Sequence, residues 1–205
     1  MNVAVFASGR GSNFQAILHA IDAGIVPAHV VVLISNSATA GAMETARAHG
    51  IPAVHISEKQ FTNSEDFSNR MLAVLHEHHV EAIALAGYLK RVPPQVIQQF
   101  QNRILNIHPA LLPFFGGAGM YGHHVHEAVI ASGMKISGAT VHLVNEEYDR
   151  GAILIQRTVE VTSADSAESL AGKVLTIEHE IFPLALKALA EHKVKIEGPK
   201  AWIMP

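Results

Sequence analysis

The stretch ILNIHPALLP, residues 104–113, combines a short apolar strand with two polar side chains at its end. Side chains two residues apart on a strand share a face, so Asn106 and His108 point one way and Ile107 points the other way, towards a core. Pro109 cannot donate to a strand ladder, so the strand is expected to end there. An amide that donates to a developing oxyanion, beside an imidazole that moves a proton, suits acyl chemistry. A polar strand end without a catalytic role is the alternative.

Apolar runs alternate with helical patterns on the amino-terminal side of this stretch. Continuous apolar runs of four to seven residues are typical of buried parallel strands. Their repeated alternation with helices predicts an α/β fold, a doubly wound and mostly parallel sheet with right-handed crossovers. The predicted strands are 2–7, 30–34, 53–56 and 82–86, and the predicted helices are 14–23, 41–49, 61–79 and 94–99.

The segment SGRGSNFQ, residues 8–15, follows the first predicted strand and leads into a helix. Gly9 and Gly11 permit a tight turn and a close backbone approach. We expect Ser12 to cap the helix and Gln15 to complete a capping box. The N–H groups at a helix N-terminus bind anions, so a phosphate is the expected ligand. The segment lacks the third glycine of a dinucleotide fingerprint and the Gly-Lys-Ser/Thr of a Walker loop. A capped turn without a ligand is the alternative.

The loop 87–94 leaves the fourth predicted strand and carries an aromatic residue and two cations. It could hold a flat, partly anionic ligand, or it could be a solvated connection. Further on, the glycine-rich segment 114–122 predicts a mobile loop. The alternation of 137–144 and the run 152–161 predict an antiparallel strand pair. A helix over 165–191, broken or kinked near Pro183 and burying Leu184, precedes an extended tail.

Composition narrows the class of protein. The chain has 205 residues, a net charge of −3 and no cysteine. The absence of a basic patch argues against a nucleic-acid partner, and no apolar run approaches the roughly 20 residues of a membrane span. The fourteen histidines show no H-E-x-x-H pattern, so no metal site is expected. We expect one cytoplasmic domain over residues 1–205, with a phosphate-binding half, 1–100, and a catalytic half, 101–205.

Several motifs together resemble the folate-dependent formyltransferases. They are Ser8-Gly9-x-Gly11-Ser12-Asn13, Leu85-Ala86-Gly87-Tyr88, Asn106-Ile107-His108-Pro109, Gly138-Ala139-Thr140-Val141-His142 and Asp149-x-Gly151-x-Ile153. The resemblance covers nearly the whole chain. The Gly11-Ser12-Asn13 turn and the late Glu178-His179 pair make it similar to the members that formylate phosphoribosylglycinamide in purine synthesis. It implies a seven-stranded mixed sheet, no catalytic metal, and formyl transfer from 10-formyltetrahydrofolate to the amine of that substrate.

The resemblance also implies a role for each matching residue. Asn106, His108 and Asp149 would be catalytic: Asn106 and a protonated His108 would stabilise the oxyanion, and Asp149 would raise the pKa of His108. The peptide bond before Pro113 is a candidate for the cis form. The residues expected to bind ligands are Gly11, Ser12 and Asn13 for the phosphate, Glu178 for the ribose hydroxyls, and Leu89, Lys90, Arg91, Val92, Asn106, Asn145, Glu146, Glu147 and Tyr148 for the folate.

Other functions are compatible with parts of the same pattern. Within the same family, methionyl-tRNA formyltransferases and formyltetrahydrofolate hydrolases carry additional domains, which this chain is not expected to have. A formyltransferase for a sugar nucleotide, or a catalytically silent folate- or nucleotide-binding module, stays open. The partners expected are small molecules, and the expected state is a monomer or a homodimer.

Overall fold

The computed structural model describes residues 1–205 and has two compact units, Met1–Ile104 and Leu105–Pro205. Its strands form a seven-stranded mixed sheet with flanking helices, so the predicted α/β fold class is confirmed. No helix combines the length and the apolarity that a membrane span needs. One domain over 1–205 stays a prediction.

The first unit alternates strands and helices. Parallel pairing joins β1 (Asn2–Phe6) to both β2 (His29–Ser35) and β4 (Ala82–Leu85), and β2 to β3 (Ala53–His55), which gives the order β3-β2-β1-β4. The strands are buried apolar runs because helices cover a parallel sheet on its faces. The elements are β1 (Asn2–Phe6), α1 (Ser12–Asp22), β2 (His29–Ser35), α2 (Gly41–Ala48), β3 (Ala53–His55), a short 3₁₀ helix (Glu58–Gln60), α3 (Ser64–Glu77), β4 (Ala82–Leu85) and α4 (Pro94–Gln99).

Two helix starts differ from the sequence predictions. The helix α3 begins at Ser64, later than predicted, because the Asn63 side chain accepts the N–H of Asp66 and caps it there. The predicted cap at Ser12 is wrong, since Ser12 is already the first residue of α1. Gly11 is the cap residue, with φ +82°, and it makes no side-chain capping hydrogen bond.

The second unit is built on antiparallel strands. The predicted pair is confirmed as β6 (Ile136–Leu143) against β7 (Ile153–Glu160), and β5 (Ile104–His108) pairs with the other edge of β6. The predicted extended tail is instead a two-stranded hairpin, β8 (Val194–Glu197) against β9 (Lys200–Ile203). The elements are β5 (Ile104–His108), α5 (His123–Ser132), β6 (Ile136–Leu143), β7 (Ile153–Glu160), α6 (Ala167–Ala190), β8 (Val194–Glu197) and β9 (Lys200–Ile203).

The helix α6 runs through Pro183 without a break. Its buried stripe includes Ile181, Ala185 and Ala188, which share one side of the helix at a spacing of three to four residues. Leu184 lies at the edge of this stripe and is exposed, so its predicted burial is wrong.

Strand register places polar side chains in rows on one face of the second unit. His108 lies opposite Thr140, which in turn lies opposite Gln156, and Asn106 lies opposite His142. Residues directly opposite on antiparallel strands have their side chains on the same face. Ile107 faces the other way and is buried, as the alternation predicted.

Candidate active site

Three predicted catalytic residues, Asn106, His108 and Asp149, lie together with His142 in the second unit. We call these four residues the imidazole cluster. Asp149 lies between the two rings, with its Oδ2 3.7 Å from His108 Nδ1 and its Oδ1 3.6 Å from His142 Nε2. Asn106 Nδ2 lies 3.0 Å from His142 Nε2. A carboxylate, two imidazoles and an amide are therefore held in one small region.

The bond made by His108 Nε2 determines the tautomer of this ring. His108 is buried, and its Nε2 lies 2.9 Å from the carbonyl oxygen of Phe115. A carbonyl oxygen only accepts hydrogen bonds, so Nε2 must carry the proton. In the neutral ring, Nδ1 is then unprotonated and is the nitrogen that faces Asp149. His108 can accept a proton at Nδ1 while it keeps its bond to Phe115.

The pKa of His108 is set by burial and by its two neighbours, Asp149 and Phe115. Burial of the ring lowers the pKa of His108 below its ordinary value, and this outweighs the opposing effects of the Asp149 charge and the Phe115 hydrogen bond. Asp149 therefore acts in the predicted direction, but the loss of hydration of the charged ring in the interior has the larger effect. The neutral ring is the resting form at pH 7.

Asp149 is ionised despite its partial burial. Burial by itself would raise the pKa of Asp149, but the nearby His142 ring and the Gly117 N–H, 2.8 Å from Oδ2, lower it overall. Asp149 has φ +54°, and its side chain lies against the glycine-rich loop. A Cβ on Gly116 would lie 3.1 Å from Asp149 Cβ and 2.5 Å from Leu112 Cδ2, so glycine is the residue that fits there.

His142 belongs to the site but was absent from the predicted site residues. Its Nδ1 lies 3.0 Å from the Leu143 carbonyl, so Nδ1 donates and Nε2 accepts from the Asn106 amide. This bond directs the Asn106 nitrogen towards the ring and leaves its second N–H for another acceptor. The alternating pattern of 137–144 placed His142 on the polar face, and strand register then pairs it with Asn106.

The glycine turn, residues 8–13 of the first unit, has the backbone of an anion site. Gly11 has φ +82°, and a Cβ there would lie 2.8 Å from Ala42 Cβ, so the turn packs tightly onto α2. The helix α1 begins directly after it, at Ser12. Asn13 is buried, and Ser12 is partly exposed. The positive end of the helix dipole and its first N–H groups are placed as phosphate binding requires.

The structure brings the loop 87–92 against the glycine turn. The Ser8 N–H donates to the Gly87 carbonyl at 3.1 Å, and the Ser8 hydroxyl accepts the Leu89 N–H at 2.8 Å. Lys90 and Arg91 are exposed, whereas Val92 is buried. The two segments that sequence reasoning assigned to a phosphate and to a folate therefore meet within one unit.

The remaining predicted site residues lie in the second unit. The connection from β6 to β7 is exposed over residues 145–148, and the Asn145 side chain accepts the Glu147 N–H at 3.1 Å. Glu178 is buried on α6. The peptide bond between Leu112 and Pro113 is cis. No group of three or more ligating side chains is arranged to hold a metal ion.

Comparison with known proteins places this geometry among formyl transferases. Residues 1–186 match the family model described as formyl transferase. The chain is 45% identical over 194 residues to a chloroplastic phosphoribosylglycinamide formyltransferase of Arabidopsis thaliana, covering 94% of this chain and 66% of that protein. It is 35% identical to the phosphoribosylglycinamide formyltransferase of Haemophilus influenzae, covering 98% of this chain and 92% of that one.

Solved structures agree with these sequence matches. The crystal structure of glycinamide ribonucleotide transformylase 1 from Symbiobacterium toebii superposes with a TM-score of 0.94 at 36% identity, covering 100% of this chain and 94% of that chain. The chain thus spans nearly all of these bacterial proteins, but just under two thirds of the plant relative.

Proposed function

The chain belongs to the formyl transferase family, and from this membership we propose that it transfers the formyl group of 10-formyltetrahydrofolate to the amine of phosphoribosylglycinamide, in purine biosynthesis. The imidazole cluster is the observation that carries the proposal. It combines a neutral proton acceptor, an ionised carboxylate and an amide donor, which are the groups that acyl transfer to an amine requires.

Asn106 is proposed to stabilise the oxyanion. The uncharged substrate amine attacks the formyl carbon, and the formyl oxygen gains negative charge as the tetrahedral intermediate forms. His142 holds one N–H of Asn106, so the other N–H is available to this oxygen. Loss of one such donor typically costs about 100- to 1,000-fold in rate.

His108 is proposed to move the proton. The attacking amine must lose a proton, and the leaving nitrogen of the folate must gain one as the carbon–nitrogen bond breaks. The unprotonated Nδ1 of His108 can accept the first and return it to the second. Asp149, 3.7 Å from Nδ1, stabilises the imidazolium that forms in between. This differs from the oxyanion-stabilising role of a protonated His108 that the resemblance implied.

The substrate-binding residues are assigned on chemistry. We propose that Gly11, Ser12 and Asn13 bind the phosphate, supported by the left-handed Gly11 and the start of α1 at Ser12. Glu178 is proposed to bind the ribose hydroxyls. The folate is proposed to contact 89–92, Asn106 and 145–148, where several side chains are exposed. A cytoplasmic location and a monomeric or homodimeric state stay predictions.

A spectrophotometric assay at neutral pH tests the activity. Purified protein is mixed with 10-formyltetrahydrofolate, with or without phosphoribosylglycinamide, and loss of the formyl group is followed. Loss that depends on the glycinamide supports the proposal. Loss without any acceptor would show a hydrolase instead. Binding of either ligand without turnover would favour a binding module, or an enzyme for another amine such as a sugar nucleotide, which parallel reactions with those amines would reveal.

A further inference from the structure

A hydroxyl and an amide lie in the same cross-strand row as His108. Thr140 lies opposite His108 on β6, and Gln156 lies opposite Thr140 on β7. Thr140 is completely buried. Both side chains form hydrogen bonds to the segment that follows His108, Pro109 to Pro113.

Every hydrogen-bonding position of the Thr140 hydroxyl is used. It donates to the Ala110 carbonyl at 2.6 Å and accepts the Leu112 N–H at 3.1 Å. It also accepts an N–H of Gln156 at 3.0 Å. A hydroxyl has one donor and two acceptor positions, so this group is saturated. Saturated buried networks specify one arrangement because any displacement leaves a polar group unsatisfied.

The orientation of the Gln156 amide follows from the same count. Its Nε2 donates to the Leu112 carbonyl at 2.9 Å and to the Thr140 hydroxyl at 3.0 Å. The amide oxygen could make neither bond, because the carbonyl only accepts and the hydroxyl has already used its proton on Ala110. Gln156 therefore holds the segment from one side while Thr140 holds it from the other.

The segment held in this way connects His108 to its own hydrogen-bond partner. The chain leaves His108, is held at Ala110 and Leu112, and returns to Phe115, whose carbonyl accepts the His108 Nε2 proton at 2.9 Å. The position of the Phe115 carbonyl decides which nitrogen of His108 carries the proton. The two hydrogen bonds at Leu112 therefore help to fix the Phe115 carbonyl three residues further along, and through it the protonation of the His108 ring.

We propose that Thr140 and Gln156 are positioning residues for the reaction: they hold the segment after His108 so that the Phe115 carbonyl keeps the proton on Nε2 and leaves Nδ1 free. This inference rests on the proposed function. A displacement of about 1 Å in a catalytic group can cost on the order of 100-fold in rate. Loosening this segment therefore lowers kcat more than it raises either KM.

Threonine variants test the proposal in the formyl-transfer assay. Thr140→Val keeps the shape but removes the hydroxyl, and we expect kcat to fall about 10- to 100-fold with both KM values changed less than about threefold. Thr140→Ser restores the hydroxyl and is expected to recover most of kcat. The matched control is Thr158→Val, which removes an exposed hydroxyl from β7 and should match the wild type. Equal kcat in Thr140→Val and Thr158→Val would overturn the proposal.

A second variant and a spectroscopic readout guard against simple unfolding. Gln156 is exposed to solvent, so Gln156→Met should fold, and circular dichroism would verify this. Nitrogen-15 NMR of the His108 ring, assigned by its disappearance in His108→Asn, reports the tautomer directly. We expect the Nε2-protonated form in the wild type and a mixture in Gln156→Met. An unchanged ring signal in both Thr140→Val and Gln156→Met would refute the positioning role.

The two readouts separate this inference from the proposed function. If the wild type shows no formyl transfer, the proposed function fails, whereas the NMR comparison still decides whether Thr140 and Gln156 control the ring. If the wild type transfers formyl groups but the variants keep both kcat and tautomer, the positioning role alone fails.

Discussion

The glycine turn and the imidazole cluster position their functional groups in opposite ways. The glycine turn presents backbone N–H groups where a parallel strand ends and a helix begins, so its geometry depends on a residue without a side chain. The imidazole cluster presents side chains across antiparallel strands, so its geometry depends on hydrogen bonds between neighbours. Added bulk should therefore damage the glycine turn, whereas removal of a single polar atom should damage the imidazole cluster.

The largest effect is expected from Asp149→Asn. Asparagine tolerates the left-handed backbone at this position, φ +54°, so the fold should be kept. The neutral amide cannot stabilise a protonated His108, and kcat should fall by about 100- to 10,000-fold with substrate binding retained. Steady-state kinetics and equilibrium binding of both substrates measure this.

Asp165→Asn is the control for Asp149→Asn. It also removes a carboxylate, but one bonded to Lys173 at 2.7 Å and to the backbone of Thr162 at 2.8 Å. We expect normal turnover and a lower melting temperature. Near-normal turnover of Asp149→Asn across the pH range would show that the assigned role of Asp149 is wrong.

Variants of His142 test the role of a single acceptor atom, Nε2, which accepts a hydrogen bond from the Asn106 amide. In His142→Leu, the Asn106 amide loses its partner and can rotate away from the oxyanion, so kcat should fall about 10- to 100-fold. In His142→Gln, the amide oxygen can replace Nε2 as the acceptor, and part of the activity should return. If the two variants are equally impaired, the bond from Asn106 to His142 does not orient the amide.

Substitutions in the glycine turn should change KM, whereas those in the imidazole cluster should change kcat. Gly11→Ala forces a side chain into the left-handed region and places a Cβ 2.8 Å from Ala42 Cβ. The left-handed penalty is about 1–2 kcal/mol, so KM for the phosphorylated substrate should rise about tenfold while kcat stays close to normal. Gly9→Ala is the control, since nothing lies within 4 Å of a Cβ there. If Gly11→Ala lowered kcat and left KM unchanged, the glycine turn would not act in substrate binding alone, and its proposed role would be wrong.

The parts that sequence predicted are those that depend on local order. The α/β fold follows from apolar runs separated by helical patterns, and the common face of Asn106 and His108 follows from the strand period of two. The glycine turn was recognisable because glycine, a following helix and a preceding strand are adjacent in the chain. These features need no knowledge of which strands pair.

The parts that sequence missed depend on contacts between distant segments. His142 joins the imidazole cluster through its register with Asn106, a residue 36 positions away. The lowered pKa of His108 depends on how deeply the folded protein buries the ring. The cap position falls on Gly11, with its left-handed φ of +82°, one residue before the predicted cap at Ser12, and a Cβ there would lie 2.8 Å from Ala42 Cβ, a residue distant in the chain.

The smallest effect concerns His126, a buried histidine of α5 that lies outside the imidazole cluster. No hydrogen bond reaches its Nδ1. Burial lowers its pKa from 6.5 to about 4, with the charges of His123 and His108 adding to the effect. Below pH 6.5 the unfolded chain therefore binds a proton at His126, whereas the folded protein binds it only near pH 4. The free energy of unfolding consequently decreases as the pH falls through this window.

His126→Leu should remove this acid sensitivity, because leucine has no proton to bind. Over the window from pH 6.5 to about 4, the unfolding free energy of the wild type should fall by up to about 1.4 kcal/mol per pH unit relative to the variant. Urea unfolding at several pH values measures the difference, with His124→Leu, an exposed residue of the same helix, as the control. Parallel pH profiles for the wild type and His126→Leu would mean that His126 titrates normally in the folded protein. The imidazole cluster would then be the source of any acid sensitivity. The lowered pKa of His108 destabilises the fold at low pH in the same way as that of His126, although a hydrogen bond to the Phe115 carbonyl holds the His108 ring.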